Sequence, residues 1–402
     1  MEIGFVNFNQ EALGRAGKVL KMLQGQGAID ELGLGRIRDV FSNSMFPGLS
    51  VLQTRAKYFL ILPALYAHLE KKRIADAREA RAIVRDYEVR ITRRLMDGSE
   101  ENAGGIIGAD SLRNREKYVK YDPTYVYQAG METYGLLKTS CNFYAMLAER
   151  SAIRDKQPKK MRGSEAEDSD DLAGLQQLFM TCGEDYRFET SERLDIELSS
   201  IEAGFLKNRI ENAVRGSLIS ELLDTGLFST ITNYDFELLG EAIRDKVSDG
   251  NFRIYTLSLR YSQFAYLLRL FYAMLYDRGV GASTDAEEKA VHFKEYLELH
   301  QSDFMPEKIE EILSFAAPKL TEDSSIHFCR RAARLIADGG YSDLEKLIAS
   351  REQAIKGPRR SKLMNPHDYE PGKPFEIPAL MTYRWSTIVR NVFNDISKGL
   401  AL

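Results

Sequence analysis

Some residue patterns in this chain have the types and spacing that chemistry needs, and each lacks a part. His292-Phe293-Lys294 resembles the HxK core of phospholipase-D-type nucleases, but the aspartate expected shortly after is missing and one copy stands where two are required. A surface histidine on an amphipathic helix explains it better. The remaining histidines (His68, His300, His327 and His367) form no HExxH and no pair with nearby carboxylates at ligand spacing. Gly104-Gly105-Ile106-Ile107-Gly108 lacks the lysine of a phosphate loop and the third-glycine spacing of a dinucleotide fingerprint. It predicts a turn with positive φ values. No GxSxG elbow occurs. Cys329 lies two residues from His327, but on one helix such residues point apart, and a buried thiol is the usual fate of such a cysteine. Cys141, Cys182 and Cys329 are an odd, sparse set without CxxC spacing, which argues against a disulfide framework or a zinc knuckle. The 59 Asp and Glu residues contain no PD…ExK arrangement. No catalytic residue, metal or cofactor is assigned, although acids distant in sequence can still converge in space.

Basic residues offer a different chemistry, the binding of phosphates. Lys156, Lys159, Lys160 and Arg162 form one cluster, and Lys356, Arg359, Arg360 and Lys362 form another that is free of acids and bracketed by prolines. Mobile Lys/Arg segments bind phosphates by counterion release with little sequence preference. Tyr383-Arg384-Trp385 and Arg390 follow the second cluster, and interleaved basic and aromatic residues can stack single-stranded bases. The competing expectation is solvated loop charge beside a core tryptophan. Arg36, Arg38, Arg55 and Lys57 flank a turn at Pro47-Gly48 and have Asp30, Glu31 and Asp39 as possible partners.

The elements that must position these groups read as helices. The 402 residues are 44% hydrophobic and 28% charged, ordinary for a globular chain of two or three domains. A net charge of -4 and a pI of about 5.9 show no overall basic face. Residues 1–8 suit a short strand, and a helix is expected from Asn9. Further helices are expected over 29–41, after a Ser50/Gln53 capping box, over 76–96 with Ile83, Tyr87, Ile91 and Leu95 on one face, and from Tyr125 to Arg150 with a break near Gly135. The Gly- and Tyr-rich stretch 98–130 carries Tyr118, Tyr121, Tyr125 and Tyr127. Pro63 inside the helix after Gln53 predicts a kink. Residues 154–171 segregate their charge and hold few apolar residues, so a mobile linker is expected. Helices return over 201–214, 217–224, 235–247, 256–276, 285–300, 306–316, 322–337 and 341–355. A proline-rich connection (356–378) and a last helix over 384–398 close the chain. Arg260 and Arg269 interrupt the most hydrophobic stretch, which predicts a core helix rather than a membrane span. No secretory signal is visible, and a cytoplasmic location is expected. The expected fold is mostly α, a multi-helix assembly in two lobes with at most a short N-terminal strand or small hairpin. Its expected divisions are 1–153, a linker at 154–172, 173–355 and 356–402.

Ile37-Arg38-Asp39-Val40-Phe41-Ser42, Phe46-Pro47-Gly48-Leu49-Ser50 and Leu52-Gln53-Thr54-Arg55-Ala56-Lys57-Tyr58-Phe59 together resemble the N-terminal signature of an uncharacterised bacterial family, catalogued as a domain of unknown function. Tyr383-Arg384-Trp385, Arg390, Asn394-Asp395-Ile396 and Gly399-Leu400 resemble its C-terminal signature, and Arg351-Glu352 through Lys356-Gly357 fits as well. Gly108-Ala109-Asp110 departs from the more basic Gly-Arg motif of the family. The resemblance implies genes beside helicase and phospholipase-D-like nuclease genes in antiphage defence islands. It points to a non-enzymatic accessory subunit that recruits or regulates such partners and touches DNA through basic loops, with no membrane role. Arg38, Pro47, Gly48, Gln53 and Arg55 are the residues it marks as structural or interface positions. A metal-dependent nuclease with a scattered carboxylate site and a pure protein-interaction scaffold are the alternatives.

Overall fold

A computed structural model describes residues 30–100, 104–114, 117–138, 142–156 (154–156 by backbone alone), 178–320, 324–377 and 379–401. The expected strand over 1–8, the helix from Asn9, Cys141, the cluster Lys159, Lys160 and Arg162, and the side chain of Lys156 lie outside the described residues. In chain order the helices are α1 (Gly35–Met45), α2 (Tyr58–Leu69), α3 (Ala77–Gly98), α4 (Ala109–Arg113), α5 (Pro123–Thr133), α6 (Phe143–Lys156), α7 (Ser200–Ala213) and α8 (Leu218–Asp224). They continue as α9 (Leu239–Ile243), α10 (Asp249–Gly279), α11 (Ser283–Leu299), α12 (Pro306–Ala316), α13 (Ser324–Ala337), α14 (Tyr341–Lys356) and α15 (Arg390–Gly399). The fold is mostly α. Among the described residues extended pairing is confined to one antiparallel bridge between Leu137 and Phe179.

The chain forms two compact units, each drawn from two stretches of sequence. Among the described residues, one comprises those from 30 to 40 and from 260 to 381, the other those from 41 to 259 and from 382 to 401, so the division falls inside α1 and α10. In the first unit α12 packs on α13 and α13 on α14. α13 shows why: Ile326, Cys329, Ala332, Ala333 and Ile336 recur at helical spacing and are all buried. His327 is exposed while Cys329 is buried, so the two do point apart.

The second unit is built around α2, whose residues from Tyr58 to Tyr66 are all buried. A helix apolar on every side belongs in a core. α3 packs on α6, α2 on α5, and α7 on both α8 and α15. Local chemistry sets several starts. Asp76 caps α3 by accepting from the backbone N–H groups of Arg78 and Glu79, each at 2.8 Å. Asp122 caps α5 with Pro123 at the first helical position. Ser199 and Glu202 make a full capping box at α7. On α3, Tyr87, Ile91 and Leu95 are buried as their spacing predicts, whereas Ile83 is only partly covered and Val84 takes the inward position.

Several expected boundaries move. The helix placed at 29–41 begins at Gly35 and extends to Met45, because Asp30 folds the preceding turn onto its own carboxylate, which accepts from the N–H groups of Leu32 and Gly35. The Ser50/Gln53 pair does not open a helix. Gln53 accepts from the Ser50 N–H at 3.1 Å, but its amide donates to the Gly48 carbonyl at 3.2 Å and helix starts only at Tyr58. Leu52, in the turn before that helix, is exposed. The helix expected over 235–247 is broken into a 3-10 turn at Phe236–Leu238 followed by α9. The core helix around 256–276 is longer, running as α10 over 31 residues. α6 extends through Lys156, into the segment expected to be linker. The last helix begins with a π turn at Trp385–Val389 before α15.

Candidate functional site

The sequence predicts a mobile phosphate-binding segment at Lys356, Arg359, Arg360 and Lys362, and in the first unit this segment is tied down instead. Glu352 on α14 is fully buried and its carboxylate accepts from the Tyr272 hydroxyl (2.7 Å), the Ser361 hydroxyl (2.7 Å), and the backbone N–H groups of Lys362 (2.9 Å) and Leu363 (3.1 Å). Lys356 Nζ lies 3.3 Å from the same carboxylate and also pairs with Glu31. Burial works against ionisation of Glu352, but the bonds from Ser361, Tyr272, Lys362 and Leu363 outweigh it and hold the carboxyl below its ordinary range. Lys362 Nζ reaches Glu31 at 2.9 Å and sits 4.8 Å from the centre of the Phe375 ring, with Tyr276 and Tyr369 each at 5.8 Å. Lys356 is thus a buried structural cation and Lys362 a half-buried one. Arg359 and Arg360 alone of the four keep exposed side chains. Arg351, one residue before Glu352, donates to the Leu32 carbonyl and to the hydroxyls of Ser324 and Ser325. Arg38, also in this unit, pairs with its neighbour Asp39 at 2.8 Å.

In the second unit Trp385 is fully buried, and its indole N–H donates to the Tyr234 carbonyl at 2.9 Å. The base-stacking role predicted for it is therefore not open to this ring, and the core-tryptophan expectation holds. The backbone explains its placement. Tyr383 and Arg384 both take positive φ values, 51° and 72°, an arrangement that strains side chains with a Cβ. The corner is held by the Tyr383 hydroxyl on the Ser258 carbonyl, by Arg384 on the Leu49 carbonyl and by Trp385 in the core. Arg390 pairs with Asp235 at 3.0 Å.

Pro47, Gly48, Gln53 and Arg55 converge in this unit on α5 and α15. The Tyr134 hydroxyl donates to the Pro47 carbonyl at 2.9 Å. Gly48 turns at φ 83°, and a Cβ on Gly130 would stand 2.4 Å from the Gly48 oxygen, so α5 approaches the turn too closely for a side chain. Gln53 also donates to the Val126 carbonyl at 3.4 Å. Arg55 grips Asp395 through Nε (2.9 and 3.0 Å) and Nη2 (2.8 Å), and Asp395 accepts from the Ala56 N–H at 2.8 Å. Burial pushes the Asp395 carboxyl up against the pull of Arg55. Lys57 and Glu202 form a second buried pair at 2.8 Å. The glycine run is part of the same structure. Gly105 and Gly108 have the positive φ values expected of them, 86° and 84°, and the Gly105 carbonyl accepts from Thr54 at 2.6 Å.

Two titratable groupings were not visible in the sequence. Glu88 on α3 is buried. One of its oxygens accepts from the N–H and hydroxyl of Thr124, each at 2.7 Å, while Oε2 is buried without a hydrogen-bond partner. Burial, with Asp122 nearby, raises its carboxyl to about 8. On the surface Glu189 accepts at one oxygen from His68 (2.8 Å), Tyr87 (2.7 Å) and Lys72. Bonds from Lys72, Tyr87 and His68 lower its carboxyl to about 2. Burial pulls the Lys72 ammonium down, but its bonds to Glu189 and Tyr87 prevail and raise it, and burial raises the Tyr87 phenol. A covalent nucleophile needs the opposite, a depressed pKa. In the first unit an open groove lined by Glu307, Glu310, Glu311, Arg330 and Arg334 has a two-bond ion pair across it, with Arg330 on Glu310 at 2.6 and 2.7 Å. Among the described residues no three His, Cys, Asp or Glu side chains gather as a metal ion would require. No described helix is long and apolar enough to cross a membrane.

These observations define a helical protein whose charged signature residues serve as internal ties. The chain belongs to a family of unknown function, DUF6361, which it matches over residues 1–304. No curated protein and no solved structure matches it.

Proposed function

We propose that this chain is an accessory subunit that works by binding rather than by chemistry, acting in a bacterial antiphage defence system beside a helicase or phospholipase-D-like nuclease and contacting DNA. The observation that supports it most is the use made of the signature charges. Arg55, Asp395, Arg351, Glu352 and Lys356 each spend their charge on partners within their own unit. Residues used this way preserve a shape that partners recognise. The defence setting rests on the family resemblance of the signature segments.

Affinity purification of the tagged chain, expressed together with its neighbouring genes, tests this proposal. A helicase or nuclease subunit is expected to co-elute in fixed stoichiometry and to survive nuclease treatment. A chain that elutes alone under those conditions contradicts it. The pure-scaffold alternative separates on whether the complex purified without nuclease treatment retains DNA, and charge reversal at Arg359 and Arg360 asks whether that segment contributes. Lys356 and Lys362 are unsuitable, since reversing them would break the ties to Glu31 and Glu352.

A further inference from the structure

We propose that the exposed tyrosine pair Tyr121 and Tyr125, flanked by Lys117 and Lys120, is a platform for single-stranded nucleic acid, with bases stacking on the rings and phosphates meeting the lysines. The proposal rests on the nucleic-acid contact proposed above and gives it a location and a strand preference.

The two rings are 44% and 62% exposed, lie 5.1 Å apart between centres and are inclined by only 24°. Single exposed apolar residues need no explanation, but two near-parallel rings left facing water form a ready stacking surface. Lys120 Nζ sits 5.1 Å from the Tyr121 ring centre, and Lys117 is exposed three residues earlier. Arg85 lies over the neighbouring Tyr118 ring at 5.3 Å and donates to the carbonyls of Tyr118 and Val119 at 3.1 and 3.3 Å, fixing the strand of chain that carries the lysines.

The platform is also held from beneath. Asp122, between the rings in sequence, is buried and accepts from the Tyr125 N–H at 2.9 Å. Thr124 is bonded twice to Glu88, and the Tyr127 hydroxyl accepts from the N–H groups of Thr54 (2.8 Å) and Arg55 (3.0 Å). The inward side of α5 is therefore fixed while Tyr125 faces outward, so little ordering entropy is lost when a ligand arrives. Among the described residues from 113 to 133, the tyrosines are the only exposed large hydrophobics. Rings beside cations suit the stacking of bases and the neutralisation of phosphates.

Fluorescence anisotropy of a labelled 15-nucleotide oligo-dT with the full chain tests the site. The wild type is expected to bind the single strand more tightly than a duplex of equal length. Tyr121→Ala/Tyr125→Ala should weaken single-strand binding by about 10- to 100-fold, while Tyr121→Phe/Tyr125→Phe, which keeps the rings, should retain it. Lys117→Ala/Lys120→Ala should flatten the salt dependence. Circular dichroism establishes that each variant is folded, as expected for exposed positions. If the wild type binds and the double alanine variant binds equally well, the site is wrong and nucleic-acid contact lies elsewhere. If the wild type binds neither strand form, the platform and the direct DNA contact both fall, and the co-purification result alone decides the accessory role. Loss of a co-purifying protein, with oligo-dT affinity unchanged, would reassign the patch to a protein partner and overturn the proposal.

Discussion

Glu352→Ala should lower the stability of the protein by about 3–5 kcal/mol, the usual consequence of removing one partner from a buried charge pair. The substitution strips four hydrogen bonds and a lysine contact from one point: Tyr272, Ser361, the N–H groups of Lys362 and Leu363, and Lys356. The backbone donors of Lys362 and Leu363 would lose their acceptor, and Lys356 would keep only Glu31. Differential scanning calorimetry should show a melting temperature lower by on the order of 10 °C. Hydrogen exchange should speed up at the amides of Lys362 and Leu363 before it does in α10. Glu352→Gln, which keeps one acceptor oxygen, should fall between wild type and alanine. An alanine variant that melts with the wild type would show that the carboxylate does not anchor the connection.

Glu88→Gln should act in the opposite direction. Glu88 and Glu352 are both buried glutamates, but Glu352 has donors around both oxygens while Glu88 has one buried oxygen without a hydrogen-bond partner and Asp122 nearby. Its folded-state value of about 8 stands above the ordinary 4.5. The fold therefore prefers the neutral acid. Below pH 4.5 both states carry the proton and nothing is lost. As pH rises from there towards 8 the unfolded chain ionises first, and stability falls. At 1.36 kcal/mol per unit, the burden amounts to about 3 kcal/mol at neutral pH and about 5 kcal/mol beyond pH 8. Glutamine keeps the acceptor for Thr124 and cannot ionise. The variant should match wild type near pH 4 and gain about 2–3 kcal/mol at pH 7, with the gap widening up to pH 8–9. Melting curves across that range measure it, and a difference that does not vary with pH would contradict the assignment.

The fold was legible wherever local chemistry decides it. Helical spacing placed α13, the Pro47-Gly48 turn followed the end of α1, and Gly105 and Gly108 took the backbone that glycine alone adopts easily. It was less legible where a long-range partner overrides local preference. Ser50 and Gln53 look like a helix start, yet Gln53 is drawn to the Gly48 and Val126 carbonyls instead. A run of Lys and Arg between prolines looks solvated, and nothing in its own sequence announces that Glu31 and Glu352 neutralise two of its cations. Trp385 had two readings, and only the tertiary structure, which buries it under Tyr383 and Arg384 at positive φ, separates them. Tyr121 and Tyr125 appear in the sequence merely as members of a tyrosine cluster. Tyr121 precedes the Asp122 cap of α5 and Tyr125 lies in its first turn, so their contact and exposure depend on how the cap turns the chain and on which face of α5 the rest of the unit covers.

The claim that this chain binds rather than catalyses is tested most directly by incubating the purified protein with supercoiled plasmid and labelled oligo-dT in the presence of magnesium or manganese. Both substrates should remain intact over hours, whether or not a chelator is added. Cleavage that the chelator abolishes, and that persists through successive purification steps in proportion to the protein, would contradict that claim and favour a metal-dependent nuclease.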